Sequence, residues 1–387
     1  MQTLRVLFVG GPMYDPLYTR LREFEDAHNI KVEIVATLIH PELNRTIARE
    51  FSEGTADYDL ISTHTKYAPS QMQWLTPVDD VWSIDELSKF NPMTLELARI
   101  NGELYGIPRN LDVKLLHYRS DMISTPPRTW EELYELAVAL RKEDFYGFVF
   151  PGKESGLFGH FFELTAMAGG NLFPNPELPE PNATTEASKW AITLLKNLYT
   201  RAAPPQTPDW HYDEVAQCFR EGLAAMSTDW PGGFYTYEDP KLSKIVGKYD
   251  LSMYPQGVAG RKVYSSSHTF AIPVTVKDRA AAVELLRFLT SRESQAFEAR
   301  FGTLPARQDS LEDAESECEP GTLQSRRWSL LEETSKFALL PPKHKNYPFV
   351  EDVIWQNVRQ ALIGNIDVDQ ALENINKEGS AAARGES

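Results

Sequence analysis

The sequence predicts an α/β protein of two lobes, and three observations predict it. The chain has 387 residues, enough for two domains of ordinary size. Short apolar runs alternate with amphipathic helical patterns from the start, the signature of sheets built through right-handed strand–helix–strand crossovers. The same alternation starts afresh from Tyr146 onward, with no internal repeat of fixed period.

The elements follow in order. Leu4–Val9 is an apolar run suited to a strand buried on both faces. Gly10 and Gly11 turn the chain, and Asp15-Pro16 is expected to cap and open a helix carrying Leu17, Leu21 and Phe24 inward. Val32–Ala36 is the second strand, Leu43, Ile47 and Phe51 mark a helix ending before Gly54, and Tyr58–Ser62 is the third strand. Ser83 with Glu86 and Thr129 with Glu132 fit capping boxes. Between them Asp112–Tyr118 alternates with the period of a strand leaving the first sheet. Further on, Tyr146–Phe150, Ala224–Thr228, Tyr249–Met253 and Thr269–Val274 read as strands. His160–Ala168, Thr185–Thr200, Val215–Gly222 and the apolar series Ala282, Leu285, Leu286, Leu289 read as helices. Trp328–Lys336 and the face Ile354, Val358, Ala361, Leu362 make the C-terminal part helical. Trp130 and Trp190 fall on amphipathic patterns and are expected in the core. Asp367 with Gln370 caps the last helix, in preference to a metal-binding role for Asp367 and Asp369.

Composition excludes several functions. A formal charge of −16 disfavours nucleic-acid binding, which wants a basic face. No apolar run approaches the roughly 20 residues of a membrane span. The two cysteines, Cys218 and Cys318, have no CxxC or metal-type neighbour; Cys218 is expected to be a buried thiol. No HExxH, GxSxG, P-loop or GxGxxG signature occurs, so no catalytic residue, metal or cofactor is assigned. No basic segment precedes Leu4–Val9, so a leader is expected to be absent from this chain, or the protein to be cytoplasmic. Gly379–Ser387 is small and polar and is expected to be a flexible tail.

The stretch Asn101–Leu140 carries the most specific pattern. Gly102, Tyr105, Gly106, Ile107 and Pro108 form a YGIP turn. Tyr118 and Asp121 follow, and then Pro127, Thr129, Trp130, Glu132 and Leu133 open a helix. This resembles the extracellular solute-binding proteins of family 1, the carbohydrate-binding proteins of ABC importers that include maltose-binding protein; Arg119 stands where that family usually has Asn. Two further stretches resemble the family in the same order, Cys218–Gly232 and Ala281–Arg307. The resemblance spans nearly the whole chain. It implies the two-lobed periplasmic-binding-protein fold, each lobe a mainly parallel sheet flanked by helices, with a hinge and a central ligand cleft. The expected lobes are residues 1–110 with 269–315 and residues 111–268 with 316–376, leaving 377–387 as the tail. The crossings are expected near Arg109–Val113 and Ser265–Thr269.

Sugar recognition needs aromatic faces against C–H patches and planar polar groups for hydroxyls. In open α/β sheets such groups lie beyond the carboxyl ends of strands. That rule selects Gly11 and Tyr14 after the first strand, and His64, Lys66 and Tyr67 after the third. It also selects Arg109 and Asn110 after the YGIP turn, Trp230 after Ala224–Thr228, and Ser266 and His268 at the second crossing. His160, Phe161 and Trp74 are weaker candidates. His64, Lys66, Arg109, Arg261 and His268 together raise the expectation of an anionic group on the ligand, such as a uronate. The resemblance implies a monomeric, non-enzymatic receptor, periplasmic or at the cell surface, that delivers a sugar to importer permease subunits. The alternatives are a ligand-binding sensor of the same fold serving a signalling partner, and a carbohydrate-active enzyme.

Overall fold

A computed structural model describes residues 2–175 and 177–386. Nine strands carry the two main sheets: β1 (Gln2–Val9), β2 (Ile30–Leu38), β3 (Leu60–His64), β4 (Ile107–Pro108), β5 (Leu115–Tyr118), β6 (Tyr146–Val149), β7 (Ala224–Asp229), β8 (Asp250–Ser252) and β9 (His268–Ala271). The chain forms two compact units. The first contains residues 1–112 and 266–320, the second residues 113–265 and 321–387.

In the first unit the sheet order is β2-β1-β3-β9-β4. β1 lies between two parallel neighbours. Leu4, Val6 and Phe8 enter one apolar cluster with Phe270 and Leu285, while Leu7 and Val9 enter another with Leu43, Ile47 and Ile61. A strand covered on both faces has no polar side, which is why the sequence runs apolar without alternating. β9 runs antiparallel to both β3 and β4. The sheet is therefore mixed rather than mainly parallel, because β9 belongs to the segment that re-enters this unit from residue 266 onward. In the second unit the sheet order is β8-β5-β7-β6, and only β6 with β7 is parallel.

The unit boundaries differ slightly from those expected, for a local reason. The Asp112 amide donates to the Ser266 carbonyl at 2.9 Å, and the His268 amide donates to Asn110 Oδ1 at 2.8 Å. These bonds stitch residues 110–112 to 266–268 and place Ser266 and His268 in the first unit.

Several local expectations change. The helix expected from Asp15 breaks into Asp15–Tyr18 and Leu21–His28, and Asp15 caps neither by its side chain; its carboxylate accepts from the Gly11 amide at 3.1 Å. Leu17, Leu21 and Phe24 are nonetheless all buried. The helix expected from His160 begins at Glu154 and is buried nearly all round, packed against Glu186–Arg201 and Tyr347–Leu362. Trp130 is fully buried, but Trp190 is half-exposed. Cys218 is buried. Thr129, Ser83 and Asp367 each accept from the amide three residues on. In the expected tail, the helix Val368–Arg384 continues to Arg384 with Ala382 and Ala383 buried, because small residues let it pack closely; Ser387 lies outside the described residues.

Candidate functional site

In the first unit the carboxyl ends of β1, β2 and β3 and the amino end of the antiparallel β9 share one sheet edge. Register decides what meets there. β9 pairs His268 directly opposite His64, a spacing at which side chains interact. Their ring centroids lie 4.8 Å apart, edge to face. His40, the first residue of the helix after β2, packs against both rings at 4.7 and 5.2 Å. Tyr14 packs against His268 at 4.9 Å, and Tyr67 against His40 at 5.3 Å.

A polar chain runs through this cluster. The Lys66 amide donates to His64 Nδ1 at 3.1 Å, so Nε2 carries the proton of the neutral ring and donates to Ser266 Oγ at 3.0 Å. Ser266 Oγ in turn donates toward Asp112 Oδ2 at 3.5 Å, and Asn110 Nδ2 donates to Asp112 Oδ1 at 2.8 Å. Burial, and then the neighbouring His40, His268 and Lys66, hold the His64 pKa well below its ordinary value. Burial, followed by Arg109 and Lys66, takes His268 down to about 3. Burial pushes Asp112 up to about 7 against the opposing pull of Ser266, Asn110 and Arg109. At neutral pH His64 and His268 present uncharged imidazoles, which both donate and accept.

The ten expected site residues divide. Tyr14, His64, Lys66, Tyr67, Ser266 and His268 gather at this edge. Lys66 Nζ lies 4.7 Å from the Tyr67 ring centroid. Gly11 is at the same edge and has φ +136°, a conformation that requires glycine, but its amide is taken by Asp15. Arg109 is a structural cation: it is fully buried, ion-paired to Glu298, hydrogen-bonded to the Tyr18 hydroxyl at 3.0 Å and packed on Tyr14 and Phe270. Asn110 uses both ends of its amide to hold Asp112 and the His268 backbone. Sequence reasoning missed His40 and Asp112. His40 follows the end of β2, so the strand-end rule applied to β2 would have found it. Asp112 carried no local signal.

Trp230 stands in the second unit, at the end of β7, and is half-buried. Tyr212 meets it edge to face at 5.5 Å, and Lys114 Nζ lies 5.4 Å from its ring centroid. Lys114 is fixed by Glu163 at 2.8 Å, and Glu163 also accepts from the Tyr254 hydroxyl at 2.6 Å and the Tyr264 amide at 2.6 Å. The indole is thus seated on an ordered polar base. His160 is a satisfied core residue, contacting the Gly156 carbonyl at 2.9 Å and Thr228 Oγ1 at 3.0 Å. Phe161 is fully buried, and Trp74 stacks on Phe51 at 5.6 Å. Arg261 donates to the Tyr254 carbonyl and lies over Phe337.

Residues 19–322 match the family of bacterial extracellular solute-binding proteins. A probable amino-acid ABC transporter periplasmic-binding protein of Sinorhizobium fredii is 24% identical over 339 residues, 81% of this chain and 74% of the relative. Among solved structures, maltose-bound MalE3 of T. maritima superposes with a TM-score of 0.89 at 24% identity, covering 98% of this chain and 99% of the other. An ABC transporter solute-binding protein of Thermotoga lettingae bound with α-D-tagatose gives 0.88 at 20% identity, covering 99% and 100%. At these identities the solved structures establish the two-lobed α/β fold.

Proposed function

The chain belongs to the bacterial extracellular solute-binding protein family, and from that premise we propose that it captures a neutral sugar or oligosaccharide for an ABC importer. Its place is the periplasm or the cell surface, its partners are the importer's permease subunits, and it acts as a monomer without turning the solute over. The observation that carries the sugar reading is the half-buried indole of Trp230, seated on Lys114 and Tyr212 at a strand end. A flat apolar face held in this way suits the C–H patch of a pyranose. The imidazoles of His40, His64 and His268 in the first unit supply hydrogen bonds of the kind hydroxyls use. Two solved proteins of this fold are bound to maltose and to α-D-tagatose, which supports the same class.

Neutrality is favoured over a uronate by the state of the cations. Of the five groups behind the anionic expectation, Arg109 is committed to Glu298 and Arg261 lies over Phe337. His64 and His268 are held uncharged. A second reading, an amino-acid solute, is favoured by the name of the Sinorhizobium relative.

Calorimetric titration with maltose, maltotriose, tagatose, glucuronate and a panel of amino acids tests the proposal. Saturable binding of a neutral saccharide at one site per chain, with the saccharide recovered intact, is the expected result. Binding confined to amino acids or to the uronate overturns it, and cleavage of the saccharide would make the chain an enzyme.

A further inference from the structure

We infer that this chain binds a divalent first-row transition ion of the zinc type through His64, His268 and Asp112. One ligand atom from each of the three lies within 4.8 Å of the others, and all three residues are buried. The fold brings them together by two long-range pairings: the register that sets His268 opposite His64, and the bridge between Asp112 and Ser266, two residues from His268. A second observation points the same way. His268 is 6% exposed, and its Nδ1 has no hydrogen-bond partner among the described residues. A ring nitrogen desolvated without a partner is an unfavourable arrangement that a cation at that nitrogen would relieve.

The donor set fits the ion. Two imidazoles and a carboxylate are the ligands of open zinc sites, in which a fourth position remains for water or a solute atom. His40 packs against both histidines. Zinc holds nitrogen and oxygen ligands at about 2.0–2.2 Å, which sets tetrahedral donors roughly 3.4 Å apart. Loading therefore draws the three side chains together by about an ångström. For His64 to ligate through Nε2, its proton must move to Nδ1, and the Lys66 amide contact and the Ser266 hydroxyl contact are given up. The inference does not depend on the nature of the solute, since it concerns the ion alone.

The test uses the full chain, freed of metal by chelator and titrated with Zn2+ in calorimetry without any sugar. One ion should bind per chain, and His268→Gln and Asp112→Asn should each weaken binding by at least about tenfold, the scale on which even supporting groups of metal sites act. His28→Gln, on an exposed histidine outside the cluster, should leave binding unchanged. X-ray absorption on the unmutated, zinc-loaded chain gives a readout that needs no variant to fold, and it should report two or three imidazoles with oxygen. The absence of saturable Zn2+ binding, a metal shell without imidazole, or binding retained in the His64→Gln/His268→Gln variant would overturn the inference. Each of these results leaves the sugar titration to stand or fall by itself.

Discussion

Trp230 and Arg109 are neighbours in the same expectation and opposites in the structure. Stacking of an indole on a sugar ring is worth about 1–3 kcal/mol by analogy with base–aromatic stacking. Trp230→Ala should therefore weaken saccharide binding roughly 5- to 150-fold in calorimetry, with little change in the melting temperature of the free protein. Arg109 should behave in the reverse way. Removing one partner of a buried ion pair leaves the other charge stranded and costs about 3–5 kcal/mol. Arg109→Met should lower the denaturation midpoint accordingly, and Arg109→Met/Glu298→Leu should recover much of the loss, because the stranded carboxylate is then gone. His117 yields a pH prediction. It is buried in β5, its ring near the Leu115 carbonyl, and burial takes its pKa down to about 3. The unfolded chain binds the proton near pH 6.5, so this residue's contribution to stability is complete above that pH. It is lost as pH falls from 6.5 toward 3, at about 1.4 kcal/mol per pH unit. His117→Gln should show a smaller drop in stability between pH 7 and pH 5 than the parent, measured by urea denaturation at each pH.

At the scale of elements, close approach of backbones sets the tightest limits. A Cβ at Gly147 would sit 1.8 Å from the Ala137 carbonyl oxygen, so β6 lies against the helix Trp130–Leu140 at a distance that only glycine allows. Main-chain atoms cannot rotate away. Gly147→Ala should therefore cost about 1–3 kcal/mol or more through a shift of the helix, read as a lowered melting temperature. The caps are worth less: Asp367→Ala, which removes the acceptor for the Gln370 amide, should cost about 1 kcal/mol. The mixed direction of the sheets belongs at this scale too. Because β9 runs against β3, its first residue, His268, rather than its last, reaches the edge where β3 ends. The strand-end rule found His268 only because the residue was also read as part of a crossing.

For the whole molecule, the chain passes between its two units after residues 112, 265 and 320, so each unit is assembled from segments distant in sequence. A solute that binds only the folded chain adds stability through mass action. At a concentration 100 times its dissociation constant the gain is about 2.7 kcal/mol, and a thermal-shift series should rise with the logarithm of solute concentration.

The sequence by itself determined the strands, most helices, the caps at Ser83, Thr129 and Asp367, and the family, because these rest on periodicity and on motifs within some 40 residues. It also located Tyr14, His64, Lys66, Tyr67 and Trp230 at strand ends, since the end of an apolar run is a local signal. What those side chains touch within the protein was decided only by tertiary structure. Arg109 and His64 are both polar residues beside a strand, and nothing nearby in the sequence says that Glu298 neutralises one while Ser266 receives a hydrogen bond from the other. The same holds for the cluster of His64, Asp112 and His268. Its members are spread over more than 200 positions, and only strand register and the return of the chain at Ser266 bring their ligand atoms within 4.8 Å of one another.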